Sequence, residues 1–272
     1  MKEIISTIKN CGAAECAVIP YKFCDVINKN IENRLQFVPQ SVIIGTVPYY
    51  THFCDQPRTV SAYAIARDYH ILLSNICTEA VNELKKLYPK ASFAAFGDHS
   101  PINEKIAAAK AGLGIIGDNS LLITENHSSF VFLFEILTDI FIEAIPQEVK
   151  YCEHCGACKK RCLADITDKK TCLSALTQKK GELSEYESKM ISRSRCAWGC
   201  DICQLACPHT KKAIESGTIY TDSSWFNSHI LLTPSEQTIN NSEDFALRAY
   251  SWRGPQTILR NLKLINDKEE TE

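Results

Sequence analysis

The chain of 272 residues lacks the hydrophobic run that a membrane-spanning helix needs, since no stretch approaches about 18 consecutive apolar residues. It also lacks the opening pattern of a secretory signal peptide, because residues 1–10 carry two lysines and a glutamate and no long apolar core. No internal period of roughly 20–50 residues indicates a solenoid. These absences predict a cytoplasmic protein without a membrane partner, and we expect it to be a monomer.

Cysteine, by contrast, is abundant, with 14 residues in the chain. Without an export signal, so many cysteines favour metal ligation in a reducing compartment over a disulfide framework. Five of them are scattered and are predicted to be free, mostly buried thiols. These five are Cys11, Cys16, Cys24, Cys54 and Cys77. The other nine lie between residues 152 and 207, so that segment is the predicted metal centre.

The spacing within this segment is that of iron–sulfur ligands. The first group reads Cys-x2-Cys-x2-Cys-x3-Cys from Cys152 to Cys162, and the second reads Cys-x2-Cys-x3-Cys-Pro from Cys200 to Pro208. In two-cluster ferredoxins the fourth cysteine of the first pattern ligates the other cluster. Zinc also binds Cys-x2-Cys pairs, but it needs only four ligands, and this segment offers more. The pattern therefore predicts two [4Fe–4S] clusters and transfer of single electrons.

The net charge of −2 hides an asymmetry along the chain. Residues 150–212 contain 13 Lys and Arg against 7 Asp and Glu, whereas the rest of the chain contains 17 against 25. A basic cluster segment could attract a polyanion such as RNA. The alternative, that these lysines form an ordinary solvated surface, stays open.

Hydrophobic periodicity and turn residues predict the order of the elements. We expect strands at 42–48 and 91–96, helices at 62–87 and 102–111, and a hairpin of strands at 120–124 and 130–137. This alternation predicts an α/β domain over residues 1–146. A cluster module is expected over 147–215, and a mostly helical or irregular tail over 216–272.

Residues 112–117 match the pattern G-x-G-x-x-G, which in a dinucleotide site follows a strand and opens a helix. Here the predicted order is inverted, so a dinucleotide site is not expected. The loop has two interpretations. It is a helix C-cap followed by a tight turn, or it is a loop with little side-chain bulk whose backbone a large planar ligand can approach.

Asp98 follows a predicted strand and opens a loop, which is a common position for catalytic groups. Apolar neighbours such as Phe96 are expected to raise its pKa, so that it can donate a proton near neutral pH. The alternative is that Asp98 caps the helix predicted from Ile102. Tyr69 and His70, within a helix-like run, either line a pocket or form an ordinary helix face.

Several motifs together resemble the epoxyqueuosine reductase family. They are Tyr63-Ala64-x2-Arg67-Asp68-Tyr69-His70, Asp98-x2-Pro101-x2-Glu104-Lys105, Ala111-Gly112-Leu113-Gly114-x2-Gly117, Phe132-Leu133-x-Glu135-Ile136-Leu137-Thr138-Asp139, Cys172-Leu173-Ser174 and Gly199-Cys200-Asp201. The resemblance covers residues 40 to 210, and it indicates a short form without the helical-repeat domain of longer members.

The family reduces the epoxide of epoxyqueuosine, at the wobble position of tRNA, to the alkene of queuosine. The resemblance implies an α/β cobalamin-binding domain, a ferredoxin-like module with two [4Fe–4S] clusters and a short C-terminal tail. It also implies tRNA carrying epoxyqueuosine in its anticodon loop as a partner, together with an unidentified low-potential electron donor.

By the same resemblance Asp98 is the proton donor. The implied cobalamin contacts are Tyr63, Arg67, Tyr69, His70, Asp98, Leu122 and Leu133. The implied cluster ligands are Cys152, Cys155, Cys158, Cys162, Cys172, Cys200, Cys203 and Cys207. Cys196 is a rival to Cys172 as the eighth ligand.

Two features set limits on these expectations. No Asp-x-His-x-x-Gly run is present, so no histidine of that motif is expected to bind cobalt, and His99 stands where the family usually has a small hydroxyl residue. Two other functions stay open: a corrinoid reductase of another substrate, similar to reductive dehalogenases, and a ferredoxin-like electron-transfer protein.

Overall fold

The computed structural model describes residues 1–166, 168 and 170–266, so the last six residues of the predicted tail lie outside the described part. The chain divides into two compact units. The first comprises Met1–Pro48 and His70–Cys155, and the second comprises Tyr49–Tyr69 and Gly156–Glu272. This division cuts across the predicted boundaries, because the amides of Ser61 and Thr59 bond to the carbonyls of Trp198 and Leu232.

Six strands belong to the first unit. They are β1 (Glu15–Pro20), β2 (Ser41–Pro48), β3 (Phe93–Phe96), β4 (Ile115–Ile116), β5 (Leu122–Ile123) and β6 (Val131–Thr138). The main sheet has the order β1-β2-β6-β3 and is antiparallel throughout, while β4 and β5 form a separate antiparallel pair. The mixed α/β character predicted for this region is thereby confirmed, with every described strand pairing antiparallel.

The described residues contain twelve α-helices. They are α1 (Lys2–Asn10), α2 (Lys29–Glu32), α3 (Tyr69–Leu87), α4 (Glu104–Lys110), α5 (Ala157–Arg161), α6 (Leu173–Thr177), α7 (Glu185–Ser194), α8 (Ile202–Leu205), α9 (Pro208–Glu215), α10 (Glu236–Asn240), α11 (Ser242–Ala246) and α12 (Pro255–Asn266). None of them has both the length and the hydropathy that crossing a membrane would require.

One face of the main sheet packs against α4. Ile44 on β2 and Leu137 on β6 are fully buried there, together with Ala108 of the helix. Because β2 lies between two neighbours, its whole length is buried, which explains its continuous apolar sequence. Phe96 at the end of β3 and Ile106 in the first turn of α4 both pack against this core.

Two predicted elements differ from those observed. The helix expected from residue 62 begins only at Tyr69, and Ala62–Ala64 form a short 3-10 helix instead. The predicted hairpin of residues 120–137 is wrong, since β5 pairs with β4 while β6 pairs with β2 and β3. The buried strand β6 is apolar on both faces and fills the interior of the sheet, which local periodicity does not reveal.

The loop at residues 112–117 forms the helix cap that was one of its two interpretations. Gly112 has φ +87°, and its amide and that of Leu113 bond back to the carbonyls of Ala109 and Ala108 at 3.0 Å each. This pattern closes the carboxyl end of α4 as a Schellman motif does, and the left-handed φ explains the glycine.

In the second unit, α12 packs against α6 and α7. The fully buried amide of Asn261 on α12 donates to the carbonyls of Thr177 (2.7 Å) and Ala197 (2.8 Å). A buried side-chain amide that donates to two backbone carbonyls holds the two segments that carry them in place. The tail therefore orders the segment that leads into Cys200.

We expect the substitution Gly45→Ala to destabilise the protein, because a Cβ at this position would overlap the ring of Phe134 on β6. Overpacking of this kind costs about 1–3 kcal/mol. Urea unfolding measures the loss in the free energy of unfolding. Adding Phe134→Leu to the Gly45→Ala protein removes the ring that the new methyl overlaps, so the methyl should then cost less. A Gly45→Ala protein as stable as the wild type would show that the two strands can separate without strain.

Candidate functional site

Asp98 lies on the loop that follows β3. Gly97 allows β3 to approach α3 closely, since a Cβ there would lie 2.9 Å from the Cβ of Leu73. One carboxylate oxygen of Asp98 is 3.4 Å from Nε2 of His70, in the first turn of α3, and the other accepts the backbone N–H of His99 at 2.8 Å. The fold thus brings together two predicted site residues, Asp98 and His70.

A cavity of about 420 Å³ opens beside this pair, between α3 and β3. Asp98 and His70 contribute to its wall, as do Cys77 on the helix and Phe93 on the strand. The side chains of Asp98 and His70 are 49% and 40% exposed. The pair is therefore accessible both to a ligand and to solvent protons.

The expected pKa shift of Asp98 is wrong in direction. The hydrogen bond from His70 is the largest influence and lowers the pKa of Asp98 below its ordinary value, against the opposing effect of partial burial. The backbone N–H of His99 lowers this pKa further. Phe96 is adjacent in sequence, but the contacts across space decide the sign, so Asp98 is a carboxylate at neutral pH.

A second carboxyl group, which the sequence reasoning did not single out, is that of Glu135. It shares one face of β6 with Leu133 and Leu137 and is fully buried. Burial raises the pKa of Glu135 well above its usual value, and Glu104 and Asp98 raise it further. Burial thus favours the neutral form of Glu135, and a glutamate inside an apolar strand is the sequence signal for it.

The remaining predicted cobalamin contacts fall into two groups. Leu122 and Leu133 belong to the core of the first unit, where they are only 3% and 8% exposed. Tyr63, Tyr69 and Arg67 are half-buried in the second unit. The two tyrosine rings pack edge to face at 6.0 Å, and the Arg67 guanidinium lies 4.1 Å above the ring of Trp225.

The predicted cluster ligands occupy turns and helix ends. The backbone turns at His154 (φ +51°) and Gly156 (φ +72°) between the first cysteines. Cys158 lies in α5, Cys162 and Cys172 are the C-cap of α5 and the N-cap of α6, Cys203 lies in α8, and Cys207 is the N-cap of α9. Helix α5 packs against α8, so the structure brings elements of both cysteine groups together.

Cys196 differs from these residues in its surroundings. Its Sγ is 3.3 Å from the carbonyl oxygens of both Trp198 and Gly199, to which the thiol donates. Burial is the main cause that raises the pKa of Cys196 to about 12, and it also raises the pKa of the predicted ligand Cys200. Cys196 is therefore distinguished by its two hydrogen bonds, as a half-buried thiol bonded to its own chain.

Asp201, between Cys200 and Cys203, anchors a distant segment. Its buried carboxylate forms an ion pair with Arg58 at 2.9 Å, accepts the N–H of Ala62 at 2.7 Å, and accepts the hydroxyl of Ser61. The sequence analysis did not identify this anchor. The only signal for it is an acidic residue enclosed by cysteines.

Gly199 permits this contact. It has φ +74°, and a Cβ there would lie 2.5 Å from the Cβ of Ser61. The backbone of Gly199 is also held by the hydroxyl of Thr177, which accepts its N–H at 2.9 Å. The residue before Cys200 is therefore a glycine because its φ is left-handed and because Ser61 leaves no room for a side chain.

A further pair beside a predicted ligand was also missed. Nδ1 of His154 lies 2.6 Å from a carboxylate oxygen of Asp118, and Sγ of Cys152 is within 4.8 Å of both groups. This is the one such trio of metal-ligand types within the described residues.

Comparison with known proteins places the chain. An epoxyqueuosine reductase of Lactococcus garvieae is 32% identical over 261 residues, covering 86% of this chain and 72% of the relative. That of Gloeobacter violaceus is 35% identical over 160 residues, covering 57% and 50%. A solved epoxyqueuosine reductase with an epoxyqueuosine-modified stem loop of tyrosine tRNA matches with a TM-score of 0.77 at 20% identity, covering 97% of this chain and 80% of that one.

No family model matches the sequence. The chain spans about half the length of the first curated relatives, between 50% and 57%. The fold and the site define a mixed α/β protein that joins a carboxylate–histidine pair in one unit to a cysteine-rich second unit. From the extent of its similarity to the Lactococcus garvieae protein, the chain belongs to the epoxyqueuosine reductase family.

We expect Asp201→Asn to destabilise the protein by about 3 kcal/mol, because it leaves the Arg58 guanidinium buried without its counter-charge. Thermal and urea unfolding measure the change. The matched control is Glu185→Gln, which breaks an exposed ion pair with Lys189 and should cost about 0.5 kcal/mol or less. Equal effects of the two substitutions would contradict the role of Asp201 as an anchor.

Proposed function

We propose that the protein reduces epoxyqueuosine to queuosine at the wobble position of tRNA, using cobalamin and two [4Fe–4S] clusters. Membership of the family supports this activity. The structural observation that carries the proposal is the set of eight cysteines with cluster spacing on turns and helix ends.

The donor set fits iron–sulfur clusters. None of the fourteen cysteines, all of which lie in described residues, is in a disulfide. Reduced thiols at these spacings can become the thiolate ligands that clusters require. The eight ligands we assign are Cys152, Cys155, Cys158, Cys162, Cys172, Cys200, Cys203 and Cys207. Bound clusters would supply electrons singly at low potential.

The surroundings of the cysteines suit both a cluster and RNA. Lys159, Lys160 and Arg161 are exposed on α5, next to Cys158 and Cys162. Their charge can offset the negative charge of a thiolate-ligated cluster, and it can attract the phosphates of a tRNA stem loop. A solved relative that holds such a stem loop supports tRNA as the partner.

Cys172 suits the eighth ligand position better than Cys196 does. The thiol of Cys196 already donates to two carbonyls of its own chain. Cys172, at the N-cap of α6, has no side-chain role in capping that helix. Its sulfur can therefore serve as a ligand without breaking bonds that hold the segment.

Cobalamin would supply the carbon–oxygen bond cleavage chemistry when bound. Of the predicted contacts, we assign direct roles to Tyr63, Arg67, Tyr69 and His70, which keep exposed surface. Leu122 and Leu133 are buried in the core of the first unit, so we assign them no direct contact. Conversion of an epoxide to an alkene consumes two electrons and two protons and releases water, and we assign to Asp98 delivery of a proton to the departing oxygen.

Iron analysis tests the ligand assignment. Reconstituted protein should bind about eight iron atoms per chain, and Cys172→Ala should lose about half of them because one cluster lacks a ligand. Cys196→Ala is the matched control and should keep the full content. Loss of iron on Cys196→Ala with full retention on Cys172→Ala would reverse the assignment.

Turnover tests the function as a whole. Protein reconstituted with both cofactors should reduce epoxyqueuosine in tRNA, and omission of cobalamin should abolish the reaction. Asp98→Asn should bind both cofactors but lose about 10²- to 10⁴-fold in rate, the usual worth of a general acid. Failure to bind cobalamin would favour an electron carrier, and binding without turnover would favour a corrinoid reductase of another substrate.

A further inference from the structure

We propose that His70 holds the proton that Asp98 delivers, so that the two residues act as one proton-transfer pair. This inference rests on the proposed function and adds to it a residue that acts through Asp98. The geometry that carries it is the 3.4 Å contact between Nε2 of His70 and a carboxylate oxygen of Asp98, at the wall of the 420 Å³ cavity.

A second residue is needed because Asp98 is ionised at neutral pH. A general acid must carry a proton when the substrate arrives, but the His70 contact lowers the pKa of Asp98 and leaves it ionised at neutral pH. The same contact places an imidazole nitrogen 3.4 Å from the ionised carboxylate, so we assign the proton of the pair to His70.

The other titratable groups around Asp98 are compatible with this arrangement. Glu135 on β6 and Glu104 on α4 both have a raised pKa, caused first by burial. His99, on the loop, has a ring nitrogen 3.8 Å from Asp98 and strengthens the ionised form. Cys77 lines the same cavity, and burial raises its pKa to about 12, so it stays a neutral thiol.

The proton balance is simple. As charge develops on the departing oxygen, the proton on Nε2 of His70 moves to Asp98, and the carboxyl group transfers a proton to that oxygen. Asp98 returns to the carboxylate, and His70 is left neutral. Its partly exposed side chain then takes a new proton from water.

The first test follows the titration of Asp98 by carbon NMR in protein labelled at its aspartate carboxyl groups, with Asp98→Asn used to assign the signal. His70→Ala should raise the pKa of Asp98, because it removes the largest influence that lowers it. The control His127→Ala removes a histidine on the turn before β6 and should leave this titration unchanged. An unchanged titration in His70→Ala would overturn the inference, and this test needs neither cobalamin nor substrate.

The second test is the pH profile of single-turnover reduction. His70→Gln keeps an N–H donor near the position of Nε2 but carries no titratable proton. Its rate should fall about tenfold per pH unit from pH 5 to 8, as the protonated fraction of Asp98 falls, whereas the wild-type rate should begin to fall only at a higher pH. At pH 7.5 the variant should be about 10²-fold slower than the wild type.

The outcomes separate the two claims. Recovery of wild-type rate and profile by His70→Gln would show that His70 only positions Asp98, and would overturn the proton-storage role. A wild-type protein that does not reduce the epoxide would overturn the proposed function. A wild-type protein that turns over, with an unshifted profile in His70→Gln, would overturn only the present inference.

Discussion

The arrangement of the second unit depends on the buried carboxylate of Asp201. Its donors, Arg58, Ser61 and Ala62, come from a segment about 140 residues earlier in the chain. A buried carboxylate without such donors would be strongly destabilising, so the segment and the cysteine loop are stable only together. The aromatic and cationic side chains that follow this segment are thereby held in the same unit as most of the cysteines.

A comparable constraint acts in the first unit through strand β6. Glu135 on β6 is fully buried, and burial raises its pKa well above its usual value. Asp98 belongs to the loop after the neighbouring strand β3, near enough to interact with Glu135, yet the shift of its pKa has the opposite sign. Burial is the main cause that raises the pKa of Glu135, and the contact with His70 is the main cause that lowers the pKa of Asp98, so the pKa values of two carboxyl groups in one region shift in opposite directions.

Local sequence patterns predicted some features well and others poorly. The strand at 42–48 and the helix cap at Gly112 follow from short-range signals, namely a continuous apolar run and a glycine after a helical segment. The supposed hairpin failed because strand pairing is decided by which neighbours bury both faces of β6. The helix expected from residue 62 began late because residues 49–69 bond to the later part of the second unit, to which they belong.

The sequence by itself determined the spacing of the cysteines and the family resemblance, because both reside in residues that are close in the chain. Tertiary structure alone decided the protonation state of Asp98, since His70 is 28 residues away in sequence and reaches it only through the packing of α3 against β3. It alone also showed that Leu122 and Leu133 are core residues and that Asp201 has an anchoring role. The physical reason is that electrostatic environment and burial arise from neighbours in space, which residue spacing does not specify.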